Sequence, residues 1–187
     1  MATGVNLRGD MKAIIKDLGV IEKRIQPKAA SQSLNRVATK IRTQGIRRIA
    51  SETGVAQKFI RRIYDNMGNV RKKNRITISG ATVSRLSAWI FFRTRSIPAI
   101  LLDAKQNKKG VKTKAKTYPG AFINNAMGGG KQVFKRKGKS RYPIEAKKIP
   151  IEKRGRVIFF ELTKKSGPIF RKEFDRNMKR LLAKVRA

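Results

Sequence analysis

Charge constrains this chain before any pattern does. Lys and Arg number 47 against 11 Asp and Glu, a formal net charge of +36 over 187 residues. Packed into one body, such a surplus repels itself unless a polyanion or an acidic protein face lies beside it. A free monomer is therefore not the expected working state. Hydrophobic residues make up 40% of the chain, enough for one modest core, so residues 1–187 are expected to form a single domain with extended arms.

The side chains that are missing exclude whole classes of function. There is no cysteine, hence no disulfide framework and no thiolate chemistry, which fits assembly in a reducing cytoplasm. Histidine is absent as well. The longest apolar run, Ala88 to Phe92, stops at Arg93, far short of the roughly 18 residues that span a bilayer. Asn6, Arg8, Asp10 and Lys12 break up any amino-terminal signal core. The chain is expected to stay soluble where it is made or to join a particle.

Periodicity sets out the elements. Asp10 to Ile25 carries Met11, Ile14, Ile15, Leu18 and Ile21 on one side and predicts a short helix entered from a mobile arm. Pro27 suits the first turn of a second helix, where Ala30, Leu34, Val37, Ile41 and Ile49 form an apolar stripe and Arg36, Lys40 and Arg47 fall on another face. Thr53 is placed to cap a third helix carrying Val55, Phe59, Ile60 and Ile63. Gly68 and Asn69 close this helical portion, residues 1–68.

A β-rich portion, 69–162, follows. Arg75 to Ser79 alternates with period two, and Val83 to Thr94 is rich in β-branched and aromatic residues, so both read as strands. Lys105 to Lys116 has almost no apolar content and carries Gly110, which predicts a solvated hairpin tip or an arm ordered only on assembly, a flexible segment at 105–117. Val157 to Leu162 reads as one more strand. After Gly167-Pro168 a final helix within 163–187 places Phe170, Phe174, Met178, Leu181 and Val185 on one side. The expected fold class is α+β: amino-terminal helices packed on an antiparallel β-sheet, a long basic hairpin or arm, and a carboxyl-terminal helix.

The stretch from Tyr118 to Ile151 carries the most specific pattern. Tyr118-Pro119-Gly120-Ala121-Phe122-Ile123 and Ser140-Arg141-Tyr142-Pro143-Ile144 flank Gly128-Gly129-Gly130-Lys131, the alternating Gln132 to Lys137, and Gly138-Lys139. Two antiparallel strands joined by a flexible turn are predicted. Upstream lie Ser33-Leu34-Asn35-Arg36-Val37-Ala38, Ile49 to Val55, Ile97-Pro98-Ala99-Ile100 and Asp103-Ala104-Lys105-Gln106; downstream lies Lys148-Ile149-Pro150-Ile151. In this order, over roughly residues 28 to 151, the blocks resemble the lambda-type minor tail protein Z family, the tail completion proteins of long-tailed phages. Trp89 to Phe92, an aromatic patch poor in Arg and Lys, and a longer carboxyl-terminal charge run depart from the family pattern.

The resemblance implies a structural protein of the virion, assembled in the host cytoplasm, at the head-proximal end of the tail. It implies docking on the tail tube or tail terminator protein, contact with head-tail connector proteins and with the tape measure protein, and a homo-oligomeric ring of sixfold symmetry that helps seat or pass the end of duplex DNA. Six copies at +36 would carry +216. A ring about 30 Å deep would enclose only about 18 phosphates, at one per roughly 1.7 Å of duplex axis. Most of the charge must therefore meet water, counterions or acidic neighbours, and only a subset of the cations is left for DNA.

Arg36, Lys40 and Arg47, with Arg61 and Arg62, are spaced for contiguous surfaces and are the candidate DNA contacts, the alternative being plain solvation. Tyr118, Pro119, Gly120 and Phe122 give rigid apolar area on a tight turn and are the candidate protein contacts; the alternative is that they fill the edge of the core. No catalytic, metal or cofactor constellation is found. Asp103 with Glu145-Ala146-Lys147 has loose spacing for a metal-dependent nuclease, Glu173 and Asp175 fall on different faces of a helix, and Gly128 to Lys131 lacks the spacing of a phosphate-binding loop. Ile49 to Ile63 resembles a helix-turn-helix, with Gln57, Lys58, Arg61 and Arg62 facing a groove, or else a packed two-helix corner. The competing functional reading is a nucleic-acid binder without a virion role, of helix-turn-helix or ribosomal type.

Overall fold

The computed structural model describes residues 2–6, 25–64, 70–126 and 130–186. The helix expected over Asp10 to Ile25 lies outside these residues except for its last position, as do Gly68, Asn69 and the Gly128-Gly129 turn. Four α-helices are described: α1 Ile25–Thr53, α2 Gln57–Arg61, α3 Glu152–Lys164 and α4 Ser166–Arg186. The strands are β1 Ala2–Asn6, β2 Arg62–Tyr64, β3 Val70–Asn74, β4 Ile76–Ser79, β5 Trp89–Arg93, β6 Ile97–Pro98, β7 Lys105–Asn107, β8 Gly110–Lys112, β9 Thr117–Pro119, β10 Ala121–Ala126, β11 Gly130–Arg136, β12 Ile144–Ala146 and β13 Lys148–Ile149. The class is α+β. The strands form five small sheets: β1-β5-β4, β10-β11-β12, β13-β6, β2-β3 and β7-β8-β9.

The chain divides into two units, Met1–Gly45 with Ile76–Phe92 and Arg156–Ala187, and Ile46–Arg75 with Arg93–Gly155. In the first, Ala29, Ala30, Leu34, Val37, Ala38 and Ile41 are buried along α1, the helical stripe that the sequence predicts. Pro27 sits in the first turn of that helix, where its missing N–H is no loss. β4 and β5 pair antiparallel, Ile76 opposite Phe92 and Ile78 opposite Ile90. Phe92 meets Phe159 of α3 at a ring separation of 5.5 Å, and on α4 Phe170 stacks on Phe174 at 5.7 Å. Each such fully buried side chain contributes about 1.5–3 kcal/mol.

The strand expected from Val83 to Thr94 is only Trp89–Arg93. Just ahead of that run the Asn35 amide holds the Ala81 backbone: its Nδ2 donates to the Ala81 carbonyl at 2.9 Å and its Oδ1 accepts from the Ala81 N–H at 2.7 Å. The Thr82 and Arg85 backbones then close a turn on each other, Thr82 N–H to Arg85 carbonyl at 3.0 Å. A second correction concerns Val157 to Leu162, expected as a strand and found inside α3. Ile151, Gly155, Ile158 and Phe159 are buried at helical spacing, a period that a six-residue window of β-branched and aromatic residues conceals. Lys165 separates α3 from α4, and Pro168, which lacks an N–H, could not continue α3 as one helix.

In the second unit Ala99, Val111, Tyr118, Ala121 and Val133 form a buried cluster, with Ile100, Ala104 and Ile123 packed against it. Of the two readings of Lys105 to Lys116, the solvated hairpin is the one found: β7 and β8 pair antiparallel with residues 105–109 exposed, β9 adds to β8, and Val111 and Thr113 are buried beneath. Its register depends on Gly110 (φ +141°), where a Cβ would lie 2.3 Å from the Tyr118 carbonyl oxygen. Two other expectations change here. Thr53 does not cap a third helix; it ends α1, its hydroxyl donates back to the Ile49 carbonyl at 2.6 Å, and Gly54 follows with φ +65° as the left-handed stop. The third helix is a single turn, α2, after which the chain enters β2.

The predicted hairpin is present. β10 and β11 pair antiparallel with Phe122 opposite Phe134, and β12 adds to β11 with Lys135 opposite Glu145. Arg75 links three segments of the unit from a buried position. Its guanidinium donates to the carbonyls of Phe59 (3.2 Å), Arg93 (3.4 Å) and Arg95. Burial first, and the neighbouring Arg95 second, push its pKa down to about 10.

Candidate functional site

Acids are scarce, so their placement is informative. In the first unit the buried Glu173 carboxylate on α4 gathers three cations: Lys40 Nζ at 2.6 Å, Arg176 at 2.5 Å and Arg36 at 3.4 Å. Its side chain is 4% exposed, whereas those of Arg36, Lys40 and Arg176 are 44%, 50% and 58% exposed. One carboxylate thus holds a cluster of net charge +2 that still faces water. One turn further along α4, Arg180 donates to Gln32 of α1 at 2.5 Å. Below this face Asn177 donates to the Ser33 hydroxyl at 2.8 Å, and Ser33 donates to the Ala29 carbonyl at 2.6 Å, a buried chain that fixes α4 against α1. Asp175 points to the exposed side, opposite in character to Glu173 as their spacing predicts.

The structure therefore brings Arg36 and Lys40 together through Glu173, an acid that the sequence weighs only as a metal ligand beside Asp175. Arg176 and Arg180 join them, unselected because they sit among many basic residues of α4. The signal was Glu173 and Asn177, two polar side chains on the apolar stripe of an amphipathic helix. Arg47 is exposed on the part of α1 that belongs to the second unit. Arg61 and Arg62 are exposed there too, but they are not a helical pair: Arg61 ends α2, hydrogen-bonded to Gln57 at 3.3 Å, and Arg62 begins β2. A five-residue α2 is too short to lie along a major groove as a recognition helix, which removes the helix-turn-helix reading.

The proposed protein contacts separate by depth. Tyr118 is in the core of the second unit, where burial raises its phenol above the ordinary range. Pro119 and Gly120 are exposed, Gly120 with φ +69°, and Phe122 is half-buried beneath Arg136, whose guanidinium lies 5.7 Å from the ring centre. Large apolar side chains surface elsewhere. Tyr142 (61% exposed) and Ile144 lie beside Lys137, Lys139 and Arg141 near β12, and in the first unit Val157 and Phe160 (58% exposed) project one turn apart from α3. The Lys164 ammonium sits 4.6 Å from the Phe160 ring centre.

Three further carboxylates are tethers. Asp103 pairs with Lys114 at 2.5 Å and Glu145 with Lys147 at 3.0 Å, and in each case the hydrogen bond and charge of the lysine hold the carboxyl below its usual range. Glu52 joins Arg154 at 2.7 Å to the carboxyl end of α1 and also meets Arg48 at 3.5 Å. Among the described residues no three acids converge as metal ligands, and no helix is long and apolar enough to cross a membrane.

Residues 7–186 match the prophage minor tail protein Z (GPZ) family. The chain belongs to this family. It is 29% identical over 159 residues to the tail completion protein of Escherichia phage N15, covering 79% of each chain. It is likewise 29% identical over 164 residues to tail completion protein Z of Escherichia phage lambda, covering 75% of this chain and 78% of that one. No solved structure matches. Membership fixes a structural role in a phage tail and accounts for the ordered blocks between residues 28 and 151.

Proposed function

We propose that this protein completes the head-proximal end of a phage tail, joining the tail to the head-tail connector and helping to seat the DNA end. The observation that carries the reading is family membership over nearly the whole chain, with two relatives named as tail completion proteins. The surfaces support a division of labour. Faces that bear only cations suit phosphates, while the apolar spots ringed by lysine and arginine, at Val157 and Phe160 and at Tyr142 and Ile144, suit acidic protein neighbours such as the tail tube or tail terminator. In a ring of copies at +36 each, acidic neighbours would offset the self-repulsion that counterions leave.

The test is genetic. Deleting the gene from its phage should leave full-length tails on particles that do not infect, and complementation with Phe160→Asp should restore folded protein but not infectivity. Normal infectivity of the deletion would remove the tail-completion reading.

A further inference from the structure

We propose that Glu173 is a positioning residue, and that Arg36, Lys40 and Arg176 around it form a preformed clamp for the phosphates of duplex DNA. The inference rests on the DNA-end part of the proposed function and names the surface that would carry it.

The argument starts from the cost of ordering a cation. Fixing a free Lys or Arg side chain forfeits much of its rotamer freedom, so exposed cations usually meet phosphate as a mobile cloud. Here the buried carboxylate has already fixed three of them, at 2.6, 2.5 and 3.4 Å. Glu173 takes one nitrogen from each partner, whereas a guanidinium carries five N–H donors and an ammonium three. The remaining donors belong to side chains about half exposed, so they are held in place and turned to solvent. Arg36 and Lys40 are one turn apart on α1, about 6 Å along its axis, and Arg176 and Arg180 are equally spaced on α4. Two short rows of cations therefore flank one buried anion.

The chemistry favours nucleic acid over an acidic protein. Exposed positions of α1 in this unit are Lys28, Arg36, Thr39, Lys40 and Gln44, and among the described side chains neither α1 nor α4 carries an exposed large apolar one. Protein interfaces centre on apolar and aromatic area, which this chain displays on α3, near β12 and, singly, at Val83 instead. Phosphate contacts need only placed donors and supply most hydrogen bonds at protein–DNA interfaces.

Glu173→Gln tests the idea by sign. It raises the net charge by one, so bulk electrostatics predicts tighter DNA binding; loss of positioning predicts weaker binding, by about tenfold. The measurement is affinity of the full chain for a duplex oligonucleotide across a salt series, with thermal unfolding as the check on folding. Equal or tighter binding by a folded Glu173→Gln protein overturns the clamp. Should that variant not fold, the pair Arg36→Gln/Arg176→Gln decides, against the equal-charge pair Lys108→Gln/Lys109→Gln. The first should lower the log–log salt slope by about 2 and the second by less than half as much; equal effects overturn the clamp. Binding of polyglutamate should be insensitive to which pair is removed, and a loss matching that for DNA would assign the surface to an acidic protein and refute the DNA clamp. Wild-type protein that binds no duplex at all would remove the DNA part of the proposed function, whereas binding that all variants share removes the clamp alone.

Discussion

Adding a single methyl group at Gly45 should change sign with the size of the residue facing it. Gly45 lies inside α1, where alanine is favoured over glycine by about 1 kcal/mol. An added Cβ, however, would lie 2.5 Å and 2.6 Å from two ring carbons of Phe159, about 1 Å inside ordinary carbon contact. The ring cannot easily swing away, since Phe159 is 3% exposed and packed on Phe92. At such close approach overpacking costs about 2–3 kcal/mol, the upper part of the usual range, so Gly45→Ala should destabilise by roughly 1–2 kcal/mol net, a fall in Tm of about 2–8 °C for a chain of this length. In a Phe159→Leu background the crowding is gone and the helical preference remains. There the same substitution should stabilise by about 1 kcal/mol. Denaturant titration of the four proteins of this cycle gives both values and a coupling of about 2–3 kcal/mol. Equal destabilisation in the two backgrounds would refute the steric argument, and so would stabilisation of the otherwise wild-type chain.

Further outcomes follow from the second unit. Arg75→Met should lose about 2–4 kcal/mol, because three backbone carbonyls surrender a common donor, and Arg75→Lys should recover little since an ammonium lacks the guanidinium fork; a lysine variant within 0.5 kcal/mol of wild type by denaturant titration would sink this account. The Tyr118 phenol, raised by burial, keeps its proton in the folded state at a pH where the unfolded chain loses it. Stability should therefore fall as pH rises above about 10 and through the folded pKa, and Tyr118→Phe should remove that component and the late-ionising step from the ultraviolet titration; an unchanged alkaline profile would contradict it.

Much of the fold was legible because its signal is local and long. α1 and α4 are stripes of Leu, Val, Ile, Phe and Met repeated over several turns, and the β10–β11 pairing follows the two blocks on either side of Gly128 to Lys131 in the sequence. What escaped the sequence was decided at a distance. Val157 to Leu162 has strand-like residues, yet it is helical because the buried period extends back through Gly155 to Ile151. The run before Trp89 has strand-like residues too, but a turn from Thr82 to Arg85 interrupts it, next to an Ala81 backbone held by Asn35 of α1. Lys105 to Lys116 is the solvated hairpin, one of two forms that its composition allows, and the choice between them rests on buried Val111 and on Gly110, which admits the Tyr118 carbonyl.

By itself the sequence determined the charge surplus, the lack of thiol and imidazole chemistry, the α+β class and, through ordered blocks, the tail protein family. Tertiary structure alone decided which cations act together. Periodicity places Arg36 and Lys40 on one face of a helix, but only the packing of α4 on α1 brings Glu173 from 133 positions away to meet them. The physical reason is that a hydrophobic stripe announces its own spacing, whereas an ion pair between distant segments depends on how two helices cross, and no local pattern encodes that.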